Sequence, residues 1–241
     1  RKLSVTVHDL QPLTDPEFTS LRPPLKRLGY DWFYRIFYPW CIRKAECLVA
    51  DSYATRETIR QLLPDVAGKT LVVHPGVPTE IRQVPTEEQI EQVRQRFDIP
   101  ERFLFYLGST RPNKNLPMML DAFEEFVRRH PEHDDLKWVM VLKPDRFFDP
   151  FFARIRDRGM LRRVHIHEQI TELEKRVFYH LATLVYFVTK HEGFGLPVLE
   201  AQAQGVPVLV STHGALPEVA GDGALQCNPD DCDSIVAALE E

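Results

Sequence analysis

Cysteine is scarce in this sequence, and the four cysteines are not closely spaced in pairs. Cys41, Cys47, Cys227 and Cys232 show neither a C-x-x-C spacing nor a neighbouring histidine pattern. A zinc site or a disulfide framework is therefore not expected, and we predict no metal site. Unpaired thiols are typical of a reducing compartment, so we expect a cytoplasmic protein.

Long apolar runs are also missing. No stretch reaches the roughly 20 residues that a membrane-spanning helix needs. The chain opens directly into a short strand, residues 3–7, and lacks the pattern of a signal peptide. This abrupt opening suggests a chain that is truncated at its N-terminus.

The sequence carries no strong excess of positive charge. Its net charge of −5 argues against broad nucleic-acid binding, and we predict no nucleic-acid partner. With 241 residues and 44% hydrophobic residues, the chain can bury a sizeable core in one or two domains. A small molecule is the expected ligand.

Short apolar runs and amphipathic segments alternate along most of the chain. Three short strands are predicted in the first part, at residues 3–7, 48–50 and 71–73, and from residue 102 onward strands and helices follow one another regularly. This alternation is typical of α/β domains with a parallel sheet. We predict an incomplete first domain (1–78), a linker with one helix (79–101) and a second α/β domain (102–241).

One stretch, residues 190–200, organises the chain around it. An apolar run leads into Gly193 and Gly195, Pro197 suits the first turn of a helix, and an apolar segment follows. The free N–H groups of such a helix start attract anions. Glu192 and Glu200 flank this start, so a ligand with both phosphate and hydroxyl groups is expected.

Glu192 and Glu200, eight positions apart around Gly-Phe-Gly-Leu-Pro, resemble the paired-glutamate motif of the retaining glycosyltransferases of family four. The segments 201–208 and 214–222 also resemble that family. The resemblance implies a GT-B fold with two Rossmann-like domains, the first one incomplete here, and a chain that continues beyond the C-terminus of this sequence. It implies transfer of a hexose from a nucleotide-diphosphate sugar to an acceptor hydroxyl with retained configuration, without a metal or another cofactor.

The loop at residues 108–115 follows a predicted strand and precedes a helix. Lys114 and Arg111 lie in it, where they can meet phosphate oxygens. The loop resembles the family's donor-diphosphate loop, but Ser109 and Asn113 stand where many relatives have arginine. Lys114 is therefore the stronger candidate for binding the donor diphosphate, and Arg111 is a candidate to replace the missing arginine. No Asp-x-Asp metal signature stands near these residues.

The resemblance also implies the remaining site residues. Glu192 is expected to bind sugar hydroxyls, Glu200 the ribose, and His8 to lie beside the transferred sugar, although His8 also fits a plain strand cap. Residues 165–170 are expected to hold the nucleobase, largely through backbone groups, although His165 and His167 also fit ordinary strand-end residues. The predicted catalytic residues are His8, Arg111, Lys114 and Glu192. The predicted donor-binding residues are Gly108, Ser109, His167, Gln169, Ile170, Gly193, Phe194, Gly195, Leu196 and Glu200.

Residues 25–47 are unusually aromatic and are predicted to be helical, with Pro39 bending or ending the first helix. Aromatic side chains most often pack in a core. Combined with Arg35, Arg43 and Lys44, they also suit a peripheral contact with a membrane or a lipid-linked acceptor, at the inner face of the membrane. If the first domain is incomplete, apolar surface around Trp32 and Trp40 should lack part of its cover.

Two other functions are compatible with these patterns. Paired carboxylates also hydrolyse glycosides, although a basic phosphate loop argues against that reaction. A catalytically idle module that binds nucleotide sugars is the alternative from another class. The leading hypothesis is a hexosyltransferase of polysaccharide or glycolipid assembly, acting on a carbohydrate or lipid-linked acceptor.

Overall fold

The structure, a computed structural model, describes residues 3–14 and 24–241 of the chain. Within these residues, those up to 75 form the first compact unit together with residues 191–194. Residues 76–190 and 195–241 form the second unit. In the described part of the chain, no helix is both long and apolar enough to cross a membrane.

The first unit contains a parallel sheet of three short strands in the order β1-β2-β3. The strands are β1 (Ser4–Val7), β2 (Cys47–Ala50) and β3 (Thr70–Val72), which agrees with the predicted positions. Its core consists of the buried apolar residues Val7, Leu10, Ile42, Ala45, Leu48, Ala50, Ile59, Leu63 and Val66.

Helical segments connect these strands. They are α1 (Gln11–Thr14), α2 (Pro24–Trp32), a π-helical stretch (Phe33–Phe37), α3 (Tyr38–Lys44), α4 (Tyr53–Leu62) and a 3₁₀ helix (Pro64–Lys69). Ser52 caps α4 because its side chain accepts a hydrogen bond from the Thr55 backbone N–H. The residues that join α2, the π-helical stretch and α3 keep right-handed helical angles, so Pro39 does not end the helical path. The wider π turn just before Pro39 accommodates a residue that cannot donate a backbone hydrogen bond.

The aromatic side chains on this helical path are more exposed than a packing role requires. Trp32 is 56% exposed and Trp40 is 52% exposed. The Phe37 ring stacks between them, with ring centroids 5.8 Å and 5.7 Å away. The prediction that these aromatic residues mainly pack in a core is therefore wrong for Trp32, Phe37 and Trp40. These three side chains form an aromatic face on the surface of the first unit. The expectation that apolar surface around the two tryptophans lacks cover agrees with these exposures.

The second unit contains a parallel sheet of six strands in the order β6-β5-β4-β7-β8-β9. The strands are β4 (Phe103–Ser109), β5 (Lys137–Lys143), β6 (Val164–His167), β7 (Leu184–Phe187), β8 (Val208–Ser211) and β9 (Leu225–Cys227). The chain winds outward from β4 in one direction and then restarts at β7 in the other. Ligands of such sheets bind beyond the carboxyl ends of the strands, near the point where the order reverses.

Helices cover this second sheet. They are α5 (Glu87–Phe97), α6 (Leu116–Arg129), α7 (Phe148–Asp157), α8 (Glu172–Leu181), α9 (Leu196–Ala203), α10 (Leu216–Ala220) and α11 (Cys232–Glu240). Short 3₁₀ helices lie at Thr79–Arg82, Pro112–Lys114, Pro131–His133, Met160–Arg162 and Gly221–Gly223. Thr86 and Thr171 form capping boxes at the starts of α5 and α8. Such caps satisfy the free N–H groups of the first helical turn.

Residues 79–101, predicted as a linker, group with the second unit. Ile81, Val93 and Ile99 belong to the buried core of that unit, so this polar stretch still contributes apolar side chains to it. The boundary between the two compact units therefore lies near residue 75, and residues 79–101 do not form a separate segment between them.

Candidate active site

The candidate phosphate loop begins where β4 ends. A Cβ atom at Gly108 would lie 2.5 Å from the Tyr106 hydroxyl oxygen, so glycine leaves room for this buried tyrosine. Tyr106 in turn donates a hydrogen bond of 3.1 Å to the Ser109 carbonyl. Gly108 and Ser109, which were predicted to lie in the loop, are the last two residues of the central strand β4.

Arg111 and Lys114 lie in the loop that follows. The loop forms the 3₁₀ helix Pro112–Lys114, and the Asn113 carbonyl accepts a 2.9 Å hydrogen bond from the Lys190 N–H. The Lys114 Nζ atom lies 5.9 Å from the centre of the Phe187 ring, at the end of β7. Lys114 therefore reaches the point where the strand order reverses, whereas Arg111 is exposed on the loop.

Asn115 fixes the shape of this loop and was not assigned a role from the sequence. It is 3% exposed and has a left-handed backbone with φ of 60°. Its Nδ2 atom donates to the Val188 carbonyl at 3.2 Å and to the Pro229 carbonyl at 2.7 Å. Asn115 thus ties the phosphate loop to the segments after β7 and β9. The sequence did contain a signal for this role. Asparagine tolerates a left-handed backbone, and Asn115 stands between a basic residue and the start of a helix, where such a turn is common.

A cavity of about 520 Å³ opens at the carboxyl ends of β4, β5 and β6. This volume falls within the range of small-molecule sites, about 300–1,000 Å³. Gln169 and Ile170, which belong to the loop predicted to hold the nucleobase, line this cavity. Its lining residues are Leu107, Gly108, Val141, Lys143, Pro144, Glu168, Gln169, Ile170, Glu172 and Lys175.

His167 is not among the residues that line this cavity. Its ring centre is 5.1 Å from that of Phe97 and 5.6 Å from that of Phe178, so it packs against α5 and α8. Burial, followed by repulsion from His165, lowers the pKa of His167 and favours the neutral ring. A backbone contact with a ligand stays open, but the side chain serves packing.

Glu200 is held from α8 by two side chains one helical turn apart. Lys175 Nζ donates to Glu200 Oε1 at 2.9 Å, and the Tyr179 hydroxyl donates to Oε2 at 3.0 Å. Glu200 is 8% exposed, so a charged carboxylate there depends on these donors. Lys175 also lines the cavity described above and therefore joins Glu200 to it.

Titration of these partners reflects the same contacts. Burial disfavours the charged form of Lys175, but its hydrogen bonds to Glu172 and Glu200 outweigh that effect and raise its pKa. The pKa of Tyr179 is raised well above its usual value, first by burial and then by the Glu200 charge. At neutral pH, Lys175 is charged and Tyr179 keeps its proton, as both hydrogen bonds require.

The predicted helix start is present at α9. Gly195 has a φ of 108°, and a Cβ atom there would lie 2.6 Å from Leu216 Cδ2. Both conditions favour glycine. Pro197 lies in the first turn, and Leu196 is 41% exposed beside it. The predicted helix start therefore lies in the second unit, with the Leu196 side chain exposed at its first position.

His8, Gly193 and Phe194 lie together in the first unit. A Cβ atom at Gly193 would overlap the His8 carbonyl oxygen, so the two backbones meet closely. Phe194 is 8% exposed, and its ring centre is 5.8 Å from that of His74. Because Glu192 immediately precedes Gly193, the structure brings the neighbourhoods of His8 and Glu192 to one place.

Asp51 orients His8 and was missed in the sequence. The His8 Nδ1 atom lies 2.6 Å from Asp51 Oδ2, and the Asp51 side chain is 10% exposed whereas that of His8 is 78% exposed. The contact engages Nδ1 and directs the rest of the ring outward. Val7 pairs with Ala50 in the sheet, so His8 and Asp51 leave adjacent strands at the same level. The signal in the sequence was that a polar residue directly follows each of two strands, because such residues lie side by side when the strands pair in parallel.

The predicted site residues thus fall into two groups. The first unit holds His8, Glu192, Gly193 and Phe194, and the second unit holds Gly108, Ser109, Arg111, Lys114, His167, Gln169, Ile170, Gly195, Leu196 and Glu200. Among residues 3–14 and 24–241, no cluster of three or more histidine, cysteine, aspartate or glutamate side chains is arranged to hold a metal ion.

Residues 88–241 match the family described as glycosyl transferases group 1. This match spans more than half of the chain, so the chain belongs to that family.

The serotype-specific mannosyltransferase WbdA of Escherichia coli is 26% identical over 243 residues, which cover 97% of this chain and 28% of WbdA. Two solved structures show the same fold. Sucrose-phosphate synthase from Thermosynechococcus elongatus has a TM-score of 0.75 and 20% identity, over 98% of this chain and 57% of that chain. Anabaena HepE in complex with UDP and glucose has a TM-score of 0.76 and 18% identity, over 100% of this chain and 61% of that chain.

These likenesses confirm the predicted α/β fold of GT-B type. The chain spans only part of these proteins, for example 28% of WbdA and 61% of HepE.

Proposed function

We propose that this protein binds a nucleotide-diphosphate sugar in its second unit and transfers the hexose to an acceptor hydroxyl with retained configuration. The observation that carries this proposal is the cavity at the carboxyl ends of β4, β5 and β6, to which Lys175 joins the buried Glu200. The cavity lies within the part of the chain that matches the glycosyltransferase family.

Lys114 and Arg111 are assigned to the diphosphate. Breaking the bond between the anomeric carbon and the diphosphate leaves negative charge on the departing oxygen, and fixed positive groups stabilise that charge. The assignment of Lys114 is supported by its position beside Phe187 and by the tie that Asn115 gives the loop. The start of α9 adds N–H groups suited to an anion.

Glu200 is assigned to the ribose hydroxyls. Its carboxylate accepts hydrogen bonds from Lys175 and Tyr179, and each carboxylate oxygen retains capacity to accept another. The fixed orientation supports recognition of a diol, because a preorganised acceptor loses little freedom when the ligand binds. Gly108, Gln169 and Ile170 are assigned to the rest of the nucleotide through the cavity that they line.

His8 and Glu192 are assigned to the transferred sugar. The exposed His8 ring, anchored by Asp51, suits a contact with a sugar hydroxyl. Glu192 precedes the residue that packs on the His8 carbonyl. No protein nucleophile is assigned, so the acceptor hydroxyl approaches the anomeric carbon from the face that the diphosphate leaves.

The acceptor is proposed to be a carbohydrate or a lipid-linked carbohydrate in polysaccharide or glycolipid assembly. The relatives of this chain include the O-antigen chain mannosyltransferase RfbU of Salmonella typhimurium, so mannose is the first sugar to test. Free thiols at Cys41, Cys47, Cys227 and Cys232 agree with the cytoplasmic location that we expect.

Peripheral contact with the inner membrane face is a further part of the proposal. The aromatic face of Trp32, Phe37 and Trp40 supports it, together with Lys44, whose Nζ lies 5.9 Å from the Trp40 ring centre. Co-sedimentation with anionic vesicles should be lost in Trp32→Ala/Trp40→Ala. Equal sedimentation of both proteins would remove membrane contact from the proposal.

The function is tested with a panel that includes GDP-mannose, UDP-glucose and several oligosaccharide acceptors. Mass spectrometry should find an acceptor that is heavier by one hexose. Release of nucleoside diphosphate alone does not suffice, because donor hydrolysis also produces it. Binding of donor without product, across the panel, would favour the idle binding module. Failure to bind any nucleoside diphosphate would overturn both functions.

A further inference from the structure

Two hydroxyl groups at the start of α4 converge on one carbonyl of the segment 191–194. Ser52 Oγ donates to the Gly193 carbonyl at 2.8 Å, and Thr55 Oγ1 donates to the same oxygen at 3.1 Å. Ser52 is fully buried and Thr55 is 5% exposed. Buried hydroxyls need partners, and a carbonyl with two lone pairs accepts both.

The same segment is held at two further points within the first unit. The Gly193 backbone lies so close to His8 that no side chain fits between them. The Phe194 ring lies against His74, whose own ring contacts Tyr53 edge to face at 5.6 Å. The carbonyl, the Cα atom and the next side chain are therefore fixed separately.

This arrangement limits the peptide on either side of Gly193. A carbonyl held by two donors fixes the orientation of the peptide that joins Gly193 to Phe194. The close contact with His8 prevents that backbone from moving toward β1. Glu192, one residue earlier, is thereby attached to a fixed point next to His8.

We infer that Ser52 and Thr55 are positioning residues that hold residues 191–194, and through them Glu192, in the geometry that sugar transfer needs. The inference rests on the proposed function for its catalytic consequence but not for the anchoring itself. Small displacements of a reacting group can lower a rate by about 10²-fold. Loss of one anchor should therefore lower kcat while leaving the KM for the nucleotide sugar nearly unchanged.

Thr55→Val is the cleanest test, because it removes one hydroxyl and keeps the β-branched shape. The cap of α4 survives, since it uses the Thr55 backbone N–H and the Ser52 side chain. Thr55→Ser restores the donor and should restore the behaviour. Thr58→Val is the matched control, because the Thr58 hydroxyl on the same helix donates to the Ala54 carbonyl at 3.0 Å and not to the segment.

Hydrogen exchange of the 241-residue chain, followed by mass spectrometry, gives a readout that needs no activity. In Thr55→Val, peptides that contain residues 191–195 should exchange about 3- to 10-fold faster, as expected for loss of one hydrogen bond from a local opening. Thr55→Ser and Thr58→Val should match the wild type. Unchanged exchange in Thr55→Val, or equal acceleration in Thr58→Val, would overturn the anchoring.

The transfer assay then tests the positioning role separately from the anchoring of residues 191–194. A lower kcat in Thr55→Val, restored in Thr55→Ser, supports the positioning role. Faster exchange with an unchanged kcat would contradict that role while leaving the anchor in place. If the wild-type chain transfers no sugar from any donor, the proposed function and the positioning role in transfer fail together, and the exchange data still decide the anchoring.

Discussion

Replacing Tyr179 by phenylalanine removes a single hydroxyl from the core of the second unit. That hydroxyl is fully buried and donates to Glu200 Oε2 at 3.0 Å. A hydrogen bond to a charged group contributes about 1.5–3 kcal/mol. The partner left behind is a carboxylate that is 8% exposed, so water replaces the lost donor poorly. We expect a loss of about 2 kcal/mol in the free energy of unfolding.

Tyr186→Phe is the matched control for this change. Tyr186 is also fully buried, but its hydroxyl donates to the neutral Met119 carbonyl, at the same distance of 3.0 Å. A bond of this kind contributes about 1 kcal/mol. Urea unfolding of both variants should therefore separate them, with the larger loss in Tyr179→Phe.

Nucleotide binding gives a second comparison of Tyr179→Phe with Tyr186→Phe. Titration calorimetry with UDP and GDP should show weaker binding in Tyr179→Phe, because Glu200 loses a donor that orients its carboxylate. Tyr186→Phe should bind as the wild type does. Equal losses of stability in the two variants, or unchanged binding in Tyr179→Phe, would refute the reasoning about Glu200.

The other expected outcomes concern single residues of the site. Glu200→Gln should mainly raise the dissociation constant of the donor through the ribose, whereas Glu192→Gln should alter sugar handling, and equal effects on bare nucleoside diphosphate would contradict this division. Gly193→Ala should destabilise the first unit by about 1–3 kcal/mol through overpacking, and an unchanged thermal unfolding curve would disprove the close contact with His8. Burial and His165 lower the pKa of His167, so the unfolded chain takes up a proton first and stability falls as the pH drops through the unfolded value of about 6.5. His167→Asn should therefore lose less stability between about pH 7.5 and 5.5 than the wild type, as measured by urea titration.

Most strands and helices were predictable because their local patterns agree with the tertiary fold. Apolar residues of α6 recur at helical spacing, and its buried face includes Met119, Leu120 and Phe123, as that spacing requires. Continuous apolar runs likewise predicted the buried strands β5 and β7.

Periodicity did not reveal which apolar surfaces would be covered. Trp32 and Trp40 have the composition of core residues but are more than half exposed, because nothing in the described part of the first unit covers them. The opposite holds for residues 79–101, where a polar average concealed the buried Val93. Burial depends on neighbours far away in sequence, which a local pattern does not contain.

Partners of the site residues were the hardest feature to predict. Lys175 and Tyr179 meet Glu200 from another helix, and only their spacing of one turn shows that they share a face. Asp51 meets His8 because β1 and β2 pair in parallel with a particular register. Once the sheet order is known, both contacts follow from residue positions. The sequence alone leaves that order open.

Donor binding by Lys114→Ala compared with Arg102→Ala tests the central proposal most directly. Both changes remove one positive charge at an end of β4, but Arg102 lies at the amino end, where it pairs with Asp135 at 3.1 Å, and Lys114 lies beyond the carboxyl end. Calorimetric titration with UDP and GDP should show weaker binding in Lys114→Ala and unchanged binding in Arg102→Ala. In the transfer assay, Lys114→Ala should lose roughly 10²-fold in rate, as is typical for a group that stabilises developing charge, and Arg111→Ala should lose less. Equal donor affinity and turnover in the wild type and Lys114→Ala would contradict the assignment of the phosphate loop.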